Sequence, residues 1–273
     1  MSVLLAVDGD SLAHRAYHGM PKTIRGAGGR PANALVGIGN FLTVLWDAER
    51  PDAVVVAWDT LEVATYRHEA LAEYQSGREF EDGILEQLEV LPSLVAAFGF
   101  GVAKAPGYEA DDFLAAAAAT WDGPVLVATS DRDAYQLVTD RVTVLQPVKG
   151  VSELARIGPA GVRERYGVDP AQVPDFIALR GDSSDKIPGA PGIGPKKAAD
   201  ILNQYGSLDA ALADGRFATI ADELRLYRQI ATMDAGAPLP PLVAAPPDWA
   251  GAAARAKELG LGALASRLSE HPS

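Results

Sequence analysis

Three short runs of β-branched and small apolar residues recur along the chain, each followed at once or nearly so by an aspartate. The run at 3–7 leads into Asp8, that at 52–58 into Asp59, and that at 124–128 into Asp131 and Asp133. A fourth run, at 142–145, repeats the apolar pattern without the acid. Unbroken apolar runs of this length predict strands covered on both faces, as in a parallel sheet. Helical spacing fills the gaps at 11–18, 33–47, 85–98 and 110–121. Strands alternating with helices imply an α/β fold with right-handed crossovers. In such sheets ligands collect beyond the carboxyl ends of the strands. The acids above fall on that edge. Glu109, Asp111 and Asp112 join them, because they open the helix that precedes the third run.

Taken singly, each acid has a plain explanation as a turn former, a helix N-cap or a complement to a helix dipole. Together they do not. Two unit charges about 4 Å apart repel by roughly 4 kcal/mol at an effective dielectric of 20. Converging carboxylates must therefore hold protons or bind cations. The chain has no Cys, which excludes disulfides and thiolate zinc sites, and its four His lack zinc spacing. Hard oxygen donors point to Mg²⁺ or Mn²⁺, two or more ions given the number of acids. A further pair, Asp182 and Asp185, precedes a Gly/Pro-rich turn. The net charge of −12 argues at first against a polyanionic partner, but nine of the 36 acids belong to this one group. The remainder nearly balance the 24 Lys and Arg.

The character of the chain changes near residue 155. Helices are predicted at 159–166, 170–179, 196–205, 207–212, 216–234, 248–259 and 261–268, with Pro238, Pro240, Pro241, Pro246 and Pro247 enforcing an extended crossing before the last two. Gly189-Ala-Pro-Gly-Ile-Gly-Pro-Lys-Lys lies among them. Its glycines allow close backbone approach, and Pro195 suits a first helical turn. Free amides there, with Lys196 and Lys197 beside them, form a phosphate seat that reads no bases. The P-loop pattern and the Gly-x-Ser-x-Gly elbow are both absent. No apolar stretch approaches bilayer length, and the N-terminus lacks the basic front of a secretory signal, so a cytoplasmic protein is expected.

Val-Asp-Gly near the N-terminus, Asp59 after a strand, Gly-Tyr-Glu-Ala-Asp-Asp, Thr-Ser-Asp-Arg-Asp-Ala-Tyr-Gln-Leu, Gly-Asp-Ser-Ser-Asp-Lys-Ile-Pro-Gly and Gly-Ile-Gly-Pro-Lys-Lys occur in one order. In that order they resemble the structure-specific 5′-nucleases of the flap endonuclease superfamily, and most of all the 5′→3′ exonuclease domain of bacterial DNA polymerase I, here free-standing. The resemblance covers most of residues 1–235. It implies a PIN-like catalytic core over 1–158, with a helical arch at 60–92. A helical region, 159–273, would follow, carrying a helix–three-turn–helix DNA clamp at about 176–213. It implies hydrolysis of DNA phosphodiesters as a 5′→3′ exonuclease and 5′-flap endonuclease, in removing RNA primers or flaps during replication and repair. The substrates would be DNA with 5′ ends, flaps or junctions and RNA/DNA hybrid primers, met by a monomer with a functional link to a polymerase.

By position, Asp8, Asp59, Glu109, Asp111, Asp112, Asp131, Asp133, Asp182 and Asp185 match the family's metal-binding acids. Arg78 matches a basic residue of the arch base. Where close relatives read Tyr-Lys-x-x-Arg, this chain reads Tyr74-Gln75-Ser76-Gly77-Arg78, and His14 stands where they commonly carry Tyr or Phe. The resemblance implies catalytic roles for Gln75 and Arg78. It implies DNA contacts from His14, Lys22, Arg25, Arg67, Tyr74, Gly192, Gly194, Lys196 and Lys197. It also implies K⁺ in the hairpin, on the carbonyls of Ile187, Ala190 and Ile193. Two alternatives share parts of the pattern: a PIN-type ribonuclease, which lacks the hairpin, and a junction-binding module that keeps its metal for structure alone.

Overall fold

The protein is described by a computed structural model covering residues 1–61, 63–77, 79–150 and 153–272. The chain runs through β1 (Leu4–Asp8), α1 (Gly9–Gly19), α2 (Asn33–Glu49), β2 (Ala53–Ala57), α3 (Tyr66–Ala70), α4 (Asp82–Ala97), β3 (Gly101–Ala103), α5 (Ala110–Thr120) and β4 (Val125–Ala128). There follow β5 (Val142–Lys149), β6 (Glu153–Ile157), α6 (Pro159–Tyr166), α7 (Val173–Arg180), α8 (Pro195–Tyr205) and α9 (Leu208–Ala213). The chain closes with α10 (Ala221–Ala231), α11 (Trp249–Glu258) and α12 (Gly262–Ser269).

The strands form one sheet in the order β3-β2-β1-β4-β5-β6. All neighbours are parallel except β5 and β6. Leu4 pairs with both Ala53 and Val125, so β1, β2 and β4 end level with one another. The connections reverse between β1 and β4, and that switch point opens the crevice where α/β folds place ligands. Successive side chains alternate faces. Leu5, Val7, Val54 and Val56 join a core with α1, α2 and α4, while Leu4, Ala6, Val55 and Val127 meet α5, α7 and α10 behind. Burying each such Leu or Val side chain contributes roughly 1.5–3 kcal/mol.

A third core lies under the hairpin, built from Leu179, Ala190, Ala198, Leu202, Leu208 and Leu224. Helix α7 serves two cores: Val173 and Ile177 face the sheet, Phe176 and Leu179 the hairpin. The acidic loop after α7 is thereby fixed against the sheet edge. Gly181 and Gly189 make this possible. Both have positive φ, and a Cβ on Gly189 would sit 2.4 Å from the Gly181 nitrogen.

The structure departs from expectation in three places. β3 has only three residues and β6 is fully buried only at Ile157, so neither shows as an apolar run. Among its described residues, the 60–92 stretch is helical only in the five-residue α3 and from Asp82 onward. The last two helices do not join the hairpin region. Trp249, Ala252, Leu264 and Leu268 bury in the first core, and the Asp248 amide donates to the Phe98 carbonyl at 2.8 Å.

Candidate active site

A cleft of about 1240 Å³ lies at the carboxyl edge of the sheet. Asp8, Asp10, Asp59, Glu109, Asp111, Asp131, Asp133, Asp182 and Asp185 all line it. Asp8 ends β1 and caps α1, accepting from the Ser11 amide at 2.9 Å and the Thr129 hydroxyl at 2.6 Å. Burial outweighs these bonds and pushes its pKa up to about 7. Asp59 ties β2 to the next crossover by accepting from the Ala110 amide at 2.7 Å. Glu109 caps α5 and accepts from the Thr65 hydroxyl at 2.9 Å and the Tyr74 hydroxyl at 3.0 Å. Its pKa also rises to about 7, mainly through burial, against the opposing pull of Arg67.

Burial likewise drives Asp111 and Asp133 well above the ordinary carboxylate range. The charges of Asp131, Asp185 and Asp182 add to the rise at Asp133, so the loop after α7 faces the β4 acids. Asp131 accepts from the Asp133 amide at 2.9 Å. Asp182 is the exception. Its partial burial is outweighed by bonds from Ser184 and by Arg180 at 2.9 Å, which lower its pKa. The Asp111 Oδ1 is buried and has no hydrogen-bond partner. Among the described residues no three carboxylates encircle a single point as they stand. Hydroxyls, amides and Arg67 hold several of them in place.

Several expected residues lie elsewhere. Asp112 is completely buried beneath the cleft and accepts both Arg67 guanidinium nitrogens, at 2.9 and 2.7 Å. Arg67 is 1% exposed and also donates to the Ile230 carbonyl at 3.0 Å, so it braces the core and does not face DNA. Tyr74 is buried with its hydroxyl on Glu109. Gln75, at φ +49°, donates to Tyr74 and to the Asp185 carboxylate, each at 3.0 Å. Arg78 lies outside the described residues.

His14 lines the cleft with its ring 4.9 Å from that of Phe80. Lys22 is bonded to Glu81 at 2.7 Å and Arg25 to the carbonyls of Lys22 and Ile24, both away from the cleft lining. At the hairpin, Gly192 and Gly194 are exposed and Lys196 reaches the cleft, while Lys197 donates to the Gly192 carbonyl at 3.0 Å. The Ile187 and Ala190 carbonyls already accept from the Asp182 and Ile193 amides. The turn therefore does not leave these two without partners, as its composition suggested.

Sequence reading missed Asp10, whose carboxylate accepts from the Asp59 amide at 2.7 Å inside the cleft. Its position two residues after Asp8 was the available signal. It also missed the cations Arg132, Arg165 and Arg180 in the cleft lining.

Two family profiles match end to end: "5′-3′ exonuclease, N-terminal resolvase-like domain" over residues 3–167 and "5′-3′ exonuclease, C-terminal SAM fold" over 168–245. A 5′-3′ exonuclease of Streptomyces coelicolor is 35% identical over 97% of this chain and 98% of its own length. DNA polymerase I of Mycobacterium tuberculosis is 42% identical over 81% of the chain, which spans only 25% of that enzyme. The fold matches a T5 5′-exonuclease structure with bound zinc at a TM-score of 0.68 and 19% identity, covering 98% of both chains. It also matches the catalytic core of Rad2 in complex with DNA substrate at 0.58 and 15%, covering 98% of this chain and 93% of that one. The matched profiles cover most of the length and the full-length relative aligns from end to end, so the chain belongs to the 5′-3′ exonuclease family of nucleases.

Proposed function

We propose that this protein hydrolyses DNA phosphodiesters near 5′ ends and at single-strand/duplex junctions, using divalent cations. The observation that carries this reading is the meeting of strand-end acids with Asp182 and Asp185 in the cleft that Lys196 of the hairpin also lines. Asp8, Asp59, Glu109, Asp111, Asp131 and Asp133 would hold the cations, with Asp182 and Asp185 coupling the hairpin to them. Raised carboxylate pKa values and the unpartnered Asp111 oxygen suit such a role, since each marks negative charge short of compensation. When bound, the ions, Mg²⁺ or Mn²⁺, supply an activated water and offset charge on the departing 3′-oxygen.

The chain's own residues do the positioning. Asp10 holds the Asp59 backbone in place, and Arg67 with Asp112 pins the start of α5 so that Glu109 and Asp111 face the cleft. Gln75 bridges the arch to Asp185. Arg78, which by sequence matches a basic residue of the family's arch base, is proposed to meet the scissile phosphate. A monovalent ion at the hairpin would use the carbonyls of Ile187, Ala190 and Ile193, the first two through their second lone pairs. Flaps, junctions and RNA/DNA primer ends are the proposed substrates of a monomeric enzyme. The polymerase relatives, which carry the matching stretch within a longer chain, support work beside DNA synthesis.

The test is product analysis on a 5′-labelled flap duplex across a Mg²⁺ titration. Cation-dependent release of fragments ending in 3′-hydroxyl supports the reading. Cleavage that persists in chelator, or strict preference for an RNA flap, overturns it.

A further inference from the structure

Many arginines of this acidic protein are neutralised at short range. Arg67, Arg156, Arg163, Arg180, Arg225, Arg228 and Arg255 all form ion pairs. Arg132, Arg165 and Lys196 are different. All three are exposed and line the acidic cleft. Among the described residues none of their side chains makes a hydrogen bond or ion pair. Leaving three cations unpaired within a cleft so rich in carboxylates implies that their partners arrive from outside.

The scaffold behind them is rigid. Arg132 starts a 3₁₀ turn, and its carbonyl accepts from the Tyr135 amide at 3.1 Å. The Tyr135 ring lies 5.4 Å from Tyr166, the neighbour of Arg165, and Tyr166 stacks on Phe176 at 4.8 Å. The Arg180 guanidinium covers Phe176 at 5.4 Å while paired with Asp182, so it belongs to this support. Arg132 and Arg165 both line the cleft beside this aromatic cluster. Lys196 continues the series at the start of α8. Cations fixed on a turn and on helix ends suit the regular phosphate spacing of a duplex better than a mobile single strand.

We propose that Arg132, Arg165 and Lys196 form a phosphate track that grips one strand of duplex DNA between the hairpin and the acid cleft. The proposal rests on the nuclease reading above and adds the residues that hold the duplex next to the cut. Such contacts read no sequence. Each releases counterions, lowering the salt slope of log affinity by about 0.9 when lost.

The experiment measures anisotropy of a fluorescent 5′-flap duplex in chelator, across a salt series, with the full chain. Arg132→Ala and Arg165→Ala should each weaken duplex binding roughly three- to tenfold and cut the slope by about 0.9, with the double variant combining both losses. A single strand of equal length should show little change. Arg132→Lys and Arg165→Lys should keep most of the slope, and Arg255→Ala, which removes the same charge from α11, should keep all of it. Melting temperatures of the variants identify any loss that comes from unfolding. A double variant with wild-type affinity and slope overturns the track, as does equal weakening on single strand and duplex. If wild type itself fails to bind the flap duplex, the nuclease reading falls with it.

Discussion

The acids and the cations that line the cleft carry opposite charge and are held by opposite means. On the sheet side, Asp8 and Glu109 are bonded to hydroxyls and largely withdrawn from water, and burial raises the pKa of each. Arg132 after β4, Arg165 in α6 and Lys196 at the start of α8 stand in solvent, without partners among the described residues. A buried carboxylate is costly to ionise and is worth keeping only if something bound there compensates it. An exposed cation costs little to hold and acts at longer range, but salt screens it. The buried acids are thus suited to tight, local binding of small cations and the exposed cations to loose, extended contact with a polyanion.

That contrast can be broken most directly at Asp133. Asp133→Asn should abolish measurable cleavage while leaving flap binding in chelator unchanged or tighter, because a repelling charge is gone. Cleavage at wild-type rate across Mg²⁺ concentrations would show that the buried acids are not the reaction site. Next in size is Arg67→Ala, which strands the buried Asp112 carboxylate. Removing one partner of a buried pair costs about 3–5 kcal/mol, so urea unfolding should shift by that much. A shift under 1 kcal/mol would mean Asp112 finds another partner or takes up a proton at little cost.

The smallest effect is on pH. Asp8 and Glu109 both have folded-state pKa values near 7, above the ordinary carboxylate range. Their protonated forms stabilise the fold fully at low pH, below their unfolded values, and that contribution is lost as pH rises through 7. Metal-free protein should therefore lose unfolding free energy steadily between about pH 4 and 7.5, superposed on its other titrations. Saturating Mg²⁺ should flatten the decline. The same slope with and without the ion would separate these acids from cation binding.

Local pattern made the parallel strands legible, because β1, β2 and β4 are apolar runs with an acid at each end point. It did not reveal β3 and β6, whose edge positions need no such run. Arg67 looked like a phosphate contact because a basic residue in an arch invites that reading. Its burial depends on Asp112 and on the Ile230 carbonyl, 45 and 163 residues away. Arg132 was obscured by the aspartates on either side, and only the folded chain brings it into one cleft with Arg165 and Lys196. The hairpin was legible down to Pro195 at the first helical position. The Lys197 bond to the Gly192 carbonyl was not, since it requires the turn's three-dimensional course.

The return of α11 and α12 to the first core sets the order in which this protein can be finished. Trp249, Ala252, Leu264 and Leu268 cover apolar surface shared with α2 and α4, elements made some 150 to 230 residues earlier. During synthesis that surface stays open until the final helices leave the ribosome, and closing so long a loop is slow relative to local folding. The sheet and its acid edge can assemble early, yet the nascent chain carries an adhesive flank for most of its translation. A chaperone holding that flank, or a pause before the Pro-rich crossing, would govern the yield of folded enzyme more than any residue in the cleft.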